Sequence, residues 1–419
     1  MRGALSLYAE TGDDMKMRRV VAWIVITFVF AGIIFTSAVV LTKGHINLGN
    51  LNKITGVIRQ SGDKTHECVE VPDRIINDQE ILVNSDEDNP ARAVSCWGDS
   101  MMEGVGNGEA YILTKAGRVD ISEYTTPYTL GKLTGLETFN FGVSGEMSDE
   151  IARRAGGLKM YTDRDIYITD YADSDVCLVD DGGNPVYMFD FSGYGIEYNE
   201  FPDTVYINGV LCQINKKISI DDEDWADNRY SEFDMEDYEI GIRICNTEEN
   251  ADYRYMYIPE GTVVTPKAAY EHRNDILVLE MGSNGGWEDY DELIAQYRAI
   301  IEYTGCTDYI IVGDTDDPGT SMAEGVVQEE DEYIGTQETT WEIALREAFG
   351  EHFLNTRVYL IENGLNDCGL RVSNMDRIYA ELGFISTKLR FDWTHFNSYG
   401  YYSKGLALYK KGVELGYWE

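Results

Sequence analysis

The segment Val94-Ser95-Cys96-Trp97-Gly98-Asp99-Ser100 carries a short apolar run that ends abruptly in Gly-Asp-Ser. A strand that stops at a tight turn and gives way to a helix presents its last side chain at the mouth of a sheet, where a serine can act as a nucleophile. The same tripeptide also reads as a plain turn with Ser100 as a helix N-cap, because Gly, Asp and Ser dominate turns. Near the other end of the chain, Phe391-Asp392-Trp393-Thr394-His395-Phe396-Asn397 precedes an amphipathic stretch from Tyr401 to Leu415. An Asp three residues before a His can orient the imidazole and stabilise it when protonated, which would give Ser100 a base. A polar turn with a capping Asp is the alternative. The other histidines, His45, His66, His272 and His352, have no comparable setting.

Two further blocks lie between these. Ile276-Leu277-Val278-Leu279-Glu280-Met281-Gly282-Ser283-Asn284 is a mostly apolar run of the buried-strand kind ending in Gly-x-Asn. An Asn there can aim its amide at a developing oxyanion, a contact that lowers a barrier by roughly 3 to 4 kcal/mol in acyl-transfer sites. Thr138-Phe139-Asn140-Phe141-Gly142-Val143-Ser144-Gly145-Glu146 is another strand ending in small residues, before a polar helix beginning near Ser148. The Gly145 amide can approach a ligand closely because glycine carries no side chain. Ordinary loops after strands are the alternative for both.

In this order, Gly-Asp-Ser, Asn-x-Gly-x-Ser-Gly, Gly-x-Asn and Asp-x-x-His resemble the SGNH hydrolases, the GDSL esterase and lipase family. The resemblance implies Ser100 as nucleophile, His395 as general base and Asp392 as its orienting partner. It implies an oxyanion hole of the Ser100 amide, the Gly145 amide and the Asn284 side chain, with no metal or organic cofactor. The chain departs from the family in one place, because Gly282-Ser283-Asn284-Gly285-Gly286-Trp287 lacks the acidic residue that usually follows the Asn. A reshaped cleft with retained catalysis is expected, with Trp287 either replacing lost wall area or acting as a packing residue.

These blocks need a scaffold. Apolar runs at Val94–Trp97, Phe139–Val143, Ile276–Met281, Tyr309–Gly313 and Val358–Ile361 predict five parallel strands, with helices at Tyr290–Tyr303 and Thr340–Phe349 between them. The expectation is a three-layer, flavodoxin-like α/β sandwich with a central parallel five-stranded sheet and its ligand beyond the strand C-termini. From about Ala155 to Ala269 the pattern alternates as in β-strands, at Asp165–Thr169, Val186–Phe189 and Val205–Ile207, and Asn208-Gly209 signals a hairpin. A β-rich, acidic insertion is therefore expected over about 155–269, and because it leaves from the segment after Gly145 it could overhang the cleft. Its densest acidic runs, Asp221–Asp224 and Glu236-Asp237, lack the spacing of an EF-hand and read as a solvated surface, and its tyrosines suit either sugar stacking or strand filling.

The stretch Val20–Thr42 contains no charged residue and is rich in Val, Ile and Phe, which is enough to span a bilayer. With Lys16, Arg18 and Arg19 ahead of it, residues 1–19 read as a cytoplasmic N-terminus and 20–42 as an uncleaved signal anchor, although Lys43, Lys53 and Arg59 follow on the other side. A cleaved signal peptide with Thr36-Ser37-Ala38 as its site, or a buried core helix, are the alternatives. Residues 43–90 read as a linker or stalk and 91–419 as the hydrolase domain. The net charge of -40 argues against nucleic acid and anionic lipid surfaces as partners, because phosphates need clustered Lys and Arg. The seven cysteines show no zinc spacing, and Cys96 and Cys306 read as small core residues.

The expectation is thus a single-pass membrane protein with an extracytoplasmic serine esterase acting on short, acetyl-type esters of a carbohydrate or cell-wall substrate. The rivals are an O-acyltransferase working with a membrane partner, and a non-catalytic surface binding protein in which the insertion does the work.

Overall fold

The computed structural model describes residues 68–69, 92–186, 204–216, 239–248, 250–318 and 335–418. The expected anchor at 20–42, the acidic runs at 221–224 and 236–237, and most of the strand expected at 186–189 lie outside them. Among the described residues, no helix is long and apolar enough to cross a membrane.

In chain order the elements are β1 (Cys68–Val69), β2 (Val94–Gly98), α1 (Ser100–Glu103), β3 (Tyr111–Thr114), β4 (Gly117–Asp120), α2 (Thr126–Thr134), β5 (Thr138–Gly142) and α3 (Ser148–Arg154). The insertion supplies β6 (Met160–Thr162), β7 (Ile166–Thr169), β8 (Ser174–Val179), β9 (Thr204–Ile207), β10 (Val210–Lys216), β11 (Glu239–Ile244), β12 (Tyr255–Ile258) and β13 (Val263–Pro266). The chain then runs through α4 (Lys267–Glu271), β14 (Ile276–Glu280), α5 (Tyr290–Thr304), β15 (Tyr309–Val312), α6 (Thr340–Phe349), β16 (Phe353–Leu354), α7 (Thr356–Asp367), α8 (Asn374–Glu381) and α9 (Ser398–Leu415).

The central sheet has five strands in the order β16-β15-β14-β2-β5, every neighbouring pair parallel. This is the 2-1-3-4-5 order of a doubly wound sheet, which reverses direction between its first and third strands, here β2 and β14. Period-two alternation sends Trp97, Leu277, Leu279 and Ile311 to one face, against Ile151, Leu293, Tyr297 and Leu345 of α3, α5 and α6. It sends Val94, Cys96, Val278 and Ile310 to the other, against Leu130, Ala407 and Leu408 of α2 and α9. Both faces are covered, so the strands read as continuous apolar runs. Cys96 and Cys306 are buried, as expected of small core residues.

One strand was misplaced by the sequence pattern. Val358–Ile361 lies within helix α7, whose Leu360, Gly364 and Leu365 face inward, and Asn355 caps it by accepting from the Val358 N–H. The fifth strand is the short Phe353–Leu354 just before it.

The insertion is β-rich, as expected, and closes into a barrel in the order β10-β11-β8-β6-β13-β9, with β9 returning to pair with β10. Its core is aliphatic, from Val176, Val205, Ile207, Ile214, Ile240, Ile242 and Val264. Asn208 and Gly209 turn β9 into β10 with φ of 50° and 79°, both left-handed, which is the type I′ geometry that Asn-Gly favours between twisted strands. Strands β7 and β12 form a separate two-stranded ribbon. Within the segment read as a stalk, β1 pairs in parallel with β3.

Candidate active site

The site forms where the sheet reverses strand order, at the C-terminal ends of β2 and β14. Gly98 ends β2 under close steric constraint, because a Cβ there would lie 2.6 Å from the Glu280 carbonyl oxygen and 2.7 Å from Met102 Cβ. That close approach lets the chain turn sharply into α1. Asp99 caps this helix by accepting from the Met101 N–H at 2.9 Å, and Ser100 follows as its first residue, buried to 8% exposure.

His395 arrives from the opposite end of the chain on the loop between α8 and α9. Asn397 caps α9 through the N–H groups of Tyr399 and Gly400, while its own amide donates to the carbonyls of Lys388 and Arg390. The loop is thereby pinned at its exit. At its entry Arg390 donates to the carbonyls of Thr394 and Thr315 at 3.0 and 2.7 Å and to Asp317 Oδ1 at 3.1 Å. The outcome is a relay: His395 Nε2 lies 2.9 Å from Ser100 Oγ, and His395 Nδ1 lies 2.9 Å from Asp392 Oδ2. Asp392 Oδ1 also accepts the Thr394 and His395 N–H groups at 2.9 and 2.6 Å. Burial alone would raise the Asp392 carboxyl, but the hydrogen bonds from the His395 ring and these two N–H groups outweigh it and hold the group below its ordinary value.

Asn284 joins the other two blocks. Its Nδ2 donates to the Glu146 carbonyl at 3.1 Å and to Asp99 Oδ2 at 3.3 Å, so it sits between the Gly145-Glu146 turn and the Asp99-Ser100 turn. Gly145 takes a left-handed φ of 81°. Arg154 of α3 holds this turn by pairing with Glu146, Nε to Oε1 at 2.9 Å, and by donating to the Phe141 carbonyl at 2.7 Å. Ser144 donates to the Glu103 carboxylate, and Asn140 Nδ2 to the Glu103 carbonyl at 3.1 Å, tying the β5 loop to α1. The structure thus gathers Ser100, Asp392, His395, Gly145 and Asn284, from four separate stretches of chain, at one end of the sheet.

Several residues around the site are not singled out by the sequence pattern. Burial, with the Glu280 charge adding to it, pushes the Asp99 carboxyl up to about 7. Beneath the Asp99-Ser100 turn, Glu280 at the end of β14 pairs with Lys404 of α9, both buried, at 2.5 Å. A charged residue inside the apolar run 276–281 was the available clue to such a pair. Asp314 and Asp316 after β15 are raised by burial, and Asp316 also by the Asp314 charge. His272 does meet a carboxylate, Asp275 at 2.8 Å, but Asp275 immediately precedes β14 at the N-terminal edge of the sheet, the end opposite Ser100, and the ring packs on Phe139.

After Asn284, where the sequence has glycine in place of an acidic residue, the constraint is one of backbone conformation: Gly285 takes a left-handed φ of 85°, which disfavours a side chain although a Cβ there would meet nothing, and the next residue, Gly286, takes 87° with no room for a Cβ, which would lie 2.5 Å from Asp149 Oδ1. The Gly285 carbonyl instead accepts the Ser148 N–H at 3.0 Å, fastening the loop to α3. Trp287 is a packing residue, since its ring lies 5.4 Å from Trp341 and its Nε1 donates to the Gly282 carbonyl. Comparison with protein-family models, curated proteins and solved structures gives no match for this chain.

Proposed function

We propose that the protein is a serine esterase of the SGNH type, working through an acyl-enzyme. The observation that carries this reading is the Ser100–His395–Asp392 relay, with both contacts at 2.9 Å, at the switch point of a doubly wound sheet. Ser100 Oγ attacks the ester carbonyl carbon as His395 Nε2 takes its proton, and Asp392 holds the imidazole through Nδ1–H and stabilises the imidazolium. The tetrahedral oxyanion is met by the Ser100 and Gly145 N–H groups and by Asn284. In the free enzyme both Asn284 amide hydrogens are engaged, and the longer bond, to Asp99 at 3.3 Å, is the one an oxyanion replaces. Collapse breaks the ester C–O bond and the leaving alkoxide takes the proton from His395. Water, deprotonated by His395, then attacks the acyl-enzyme, releasing the acid and restoring Ser100. The reaction asks for no metal or organic cofactor.

The substrate reading is a short acyl ester, acetyl above all, on a carbohydrate. Phe391 and Trp393, 64% and 72% exposed, flank Asp392 in the His395 loop and offer aromatic surface of a kind that suits a sugar ring. With 20–42 as a signal anchor, the domain faces the outside of the cell on a single span and meets such esters on surface or environmental polysaccharide.

The test is hydrolysis of p-nitrophenyl acetate, butyrate and octanoate by the protein and by Ser100→Ala. Activity is expected on acetate, falling toward the longer chains, with kcat reduced by about 10⁴ to 10⁶ in Ser100→Ala. Equal activity in both proteins, or none in either with the fold intact, overturns the reading.

A further inference from the structure

Apart from the catalytic loops, the barrel insertion carries a cavity of about 470 Å³ on its outer surface. The outward positions of β9 and β13 make its floor: Val205 and Ile207 point into the barrel core, whereas Tyr206 points out, with Thr265 paired opposite it and Val263 beyond. The Asn208-Gly209 turn and Thr262 form the rim, and Tyr270 of α4, 46% exposed, stands as a wall.

Two properties of this cavity narrow what it can hold. First, no lining residue is charged, in a chain with 74 acidic and 34 basic residues. A cationic ligand would find no carboxylate there, and burying one without a counter-charge is costly, while the one neighbouring guanidinium, that of Arg273, is engaged by the Tyr270 ring and the Tyr270 carbonyl. Second, the Tyr206 and Tyr270 rings meet at 5.0 Å and 55°, which makes a corner and leaves no slot between them. A flat planar ligand sandwiched between rings does not fit, whereas a puckered ring can lay its C–H face on one tyrosine and its edge on the other. The Arg273 guanidinium packs on the Tyr270 ring, 4.1 Å from its centroid, and fixes the angle of the wall. Threonine hydroxyls and the Asn208 amide supply neutral hydrogen-bonding groups around these rings, and the volume lies within the roughly 300 to 1,000 Å³ of small-ligand sites.

We infer that this corner is a binding site for a sugar residue of a neutral glycan, and that the insertion acts as a carbohydrate-binding unit separate from the catalytic cleft. The inference does not depend on the esterase reading, because none of these residues belongs to the Ser100, Asn284 or His395 loops. Chemically, C–H groups of the sugar rest on the tyrosine faces and its hydroxyls exchange hydrogen bonds with Asn208 and Thr265.

The test is native affinity electrophoresis of the full chain in detergent through gels containing hydroxyethyl cellulose, glucomannan, β-1,3-glucan, galactan or dextran, with alginate and chitosan as charged controls. Retardation by at least one neutral polysaccharide is expected. It should weaken about tenfold in Tyr270→Ala and in Tyr206→Phe/Tyr270→Ala, and stay unchanged in Tyr255→Ala, an exposed tyrosine on the β7–β12 ribbon. Tyr270 is half exposed, so its truncation leaves the melting temperature in place, and p-nitrophenyl acetate hydrolysis by the same variants reports the catalytic site independently. No retardation by any neutral polysaccharide, retardation equal in all variants, or binding to chitosan alone that salt abolishes overturns the inference.

Discussion

Among single residues, Asn284 gives the proposed esterase its sharpest test, because its side chain bridges the Asp99-Ser100 turn and the Gly145-Glu146 turn. Asn284→Ala is expected to lower kcat on p-nitrophenyl acetate by about 10² to 10³ while KM changes little, since the contact strengthens only as the oxyanion forms. A rise in KM at constant kcat would instead make it a ground-state binding group. Asp99 sits one residue before Ser100, and burial together with the Glu280 charge raises its carboxyl to about 7. As pH rises through that value the ionised carboxylate holds the Asn284 amide more firmly, in competition with the oxyanion.

At the scale of elements, short helices and loops are aimed by their caps. Helix α3 opens with one half of a capping box, Glu150 accepting the Met147 N–H at 2.8 Å while the Met147 side chain makes no cap bond in return. Burial, with the charges of Glu146 and Asp149 adding, pushes the Glu150 carboxyl up to about 8, against an ordinary value of 4.5. A folded-state value above the unfolded one means that the native chain holds this proton more tightly, so its contribution weakens as pH rises from about 4.5 toward 8. Glu150→Gln keeps the acceptor and removes the titration. Its melting temperature relative to wild type should therefore be lowest below pH 4.5 and climb up to pH 8, and a flat difference across that range would show that Glu150 ionises freely. The one misread element also has a local cause. Val358-Tyr359-Leu360-Ile361 is a four-residue apolar run, which fits a buried strand or one helical turn equally well, and the true edge strand, Phe353–Leu354, is too short to leave a pattern.

Across the whole molecule, the C-terminal end of the sheet is fastened to the C-terminal helix through Glu280 and Lys404, residues far apart in sequence and buried together beneath the Asp99-Ser100 turn. Lys404 also donates to the Met101 carbonyl of α1 at 3.4 Å. Removing one member leaves an uncompensated buried charge. Lys404→Met is expected to cost about 3 to 5 kcal/mol in chemical denaturation, and Lys404→Met with Glu280→Gln to recover most of it. Additive losses in the double variant would mean the two groups do not interact. The order of the four motif blocks, four of the five central strands, the helices expected at 290–303 and 340–349, and the β character of the insertion were legible in the chain alone. Each of these rests on local periodicity or turn chemistry, which a chain displays before it folds. Tertiary packing alone closes the insertion into a barrel, brings Asp99, Glu280, Lys404 and Arg390 around the Ser100–His395–Asp392 relay, and makes Tyr206 and Tyr270 meet in an uncharged corner. Those contacts join residues distant in sequence, and nothing in local pattern encodes which buried charge meets which, because the pairing is set by how strands and helices pack.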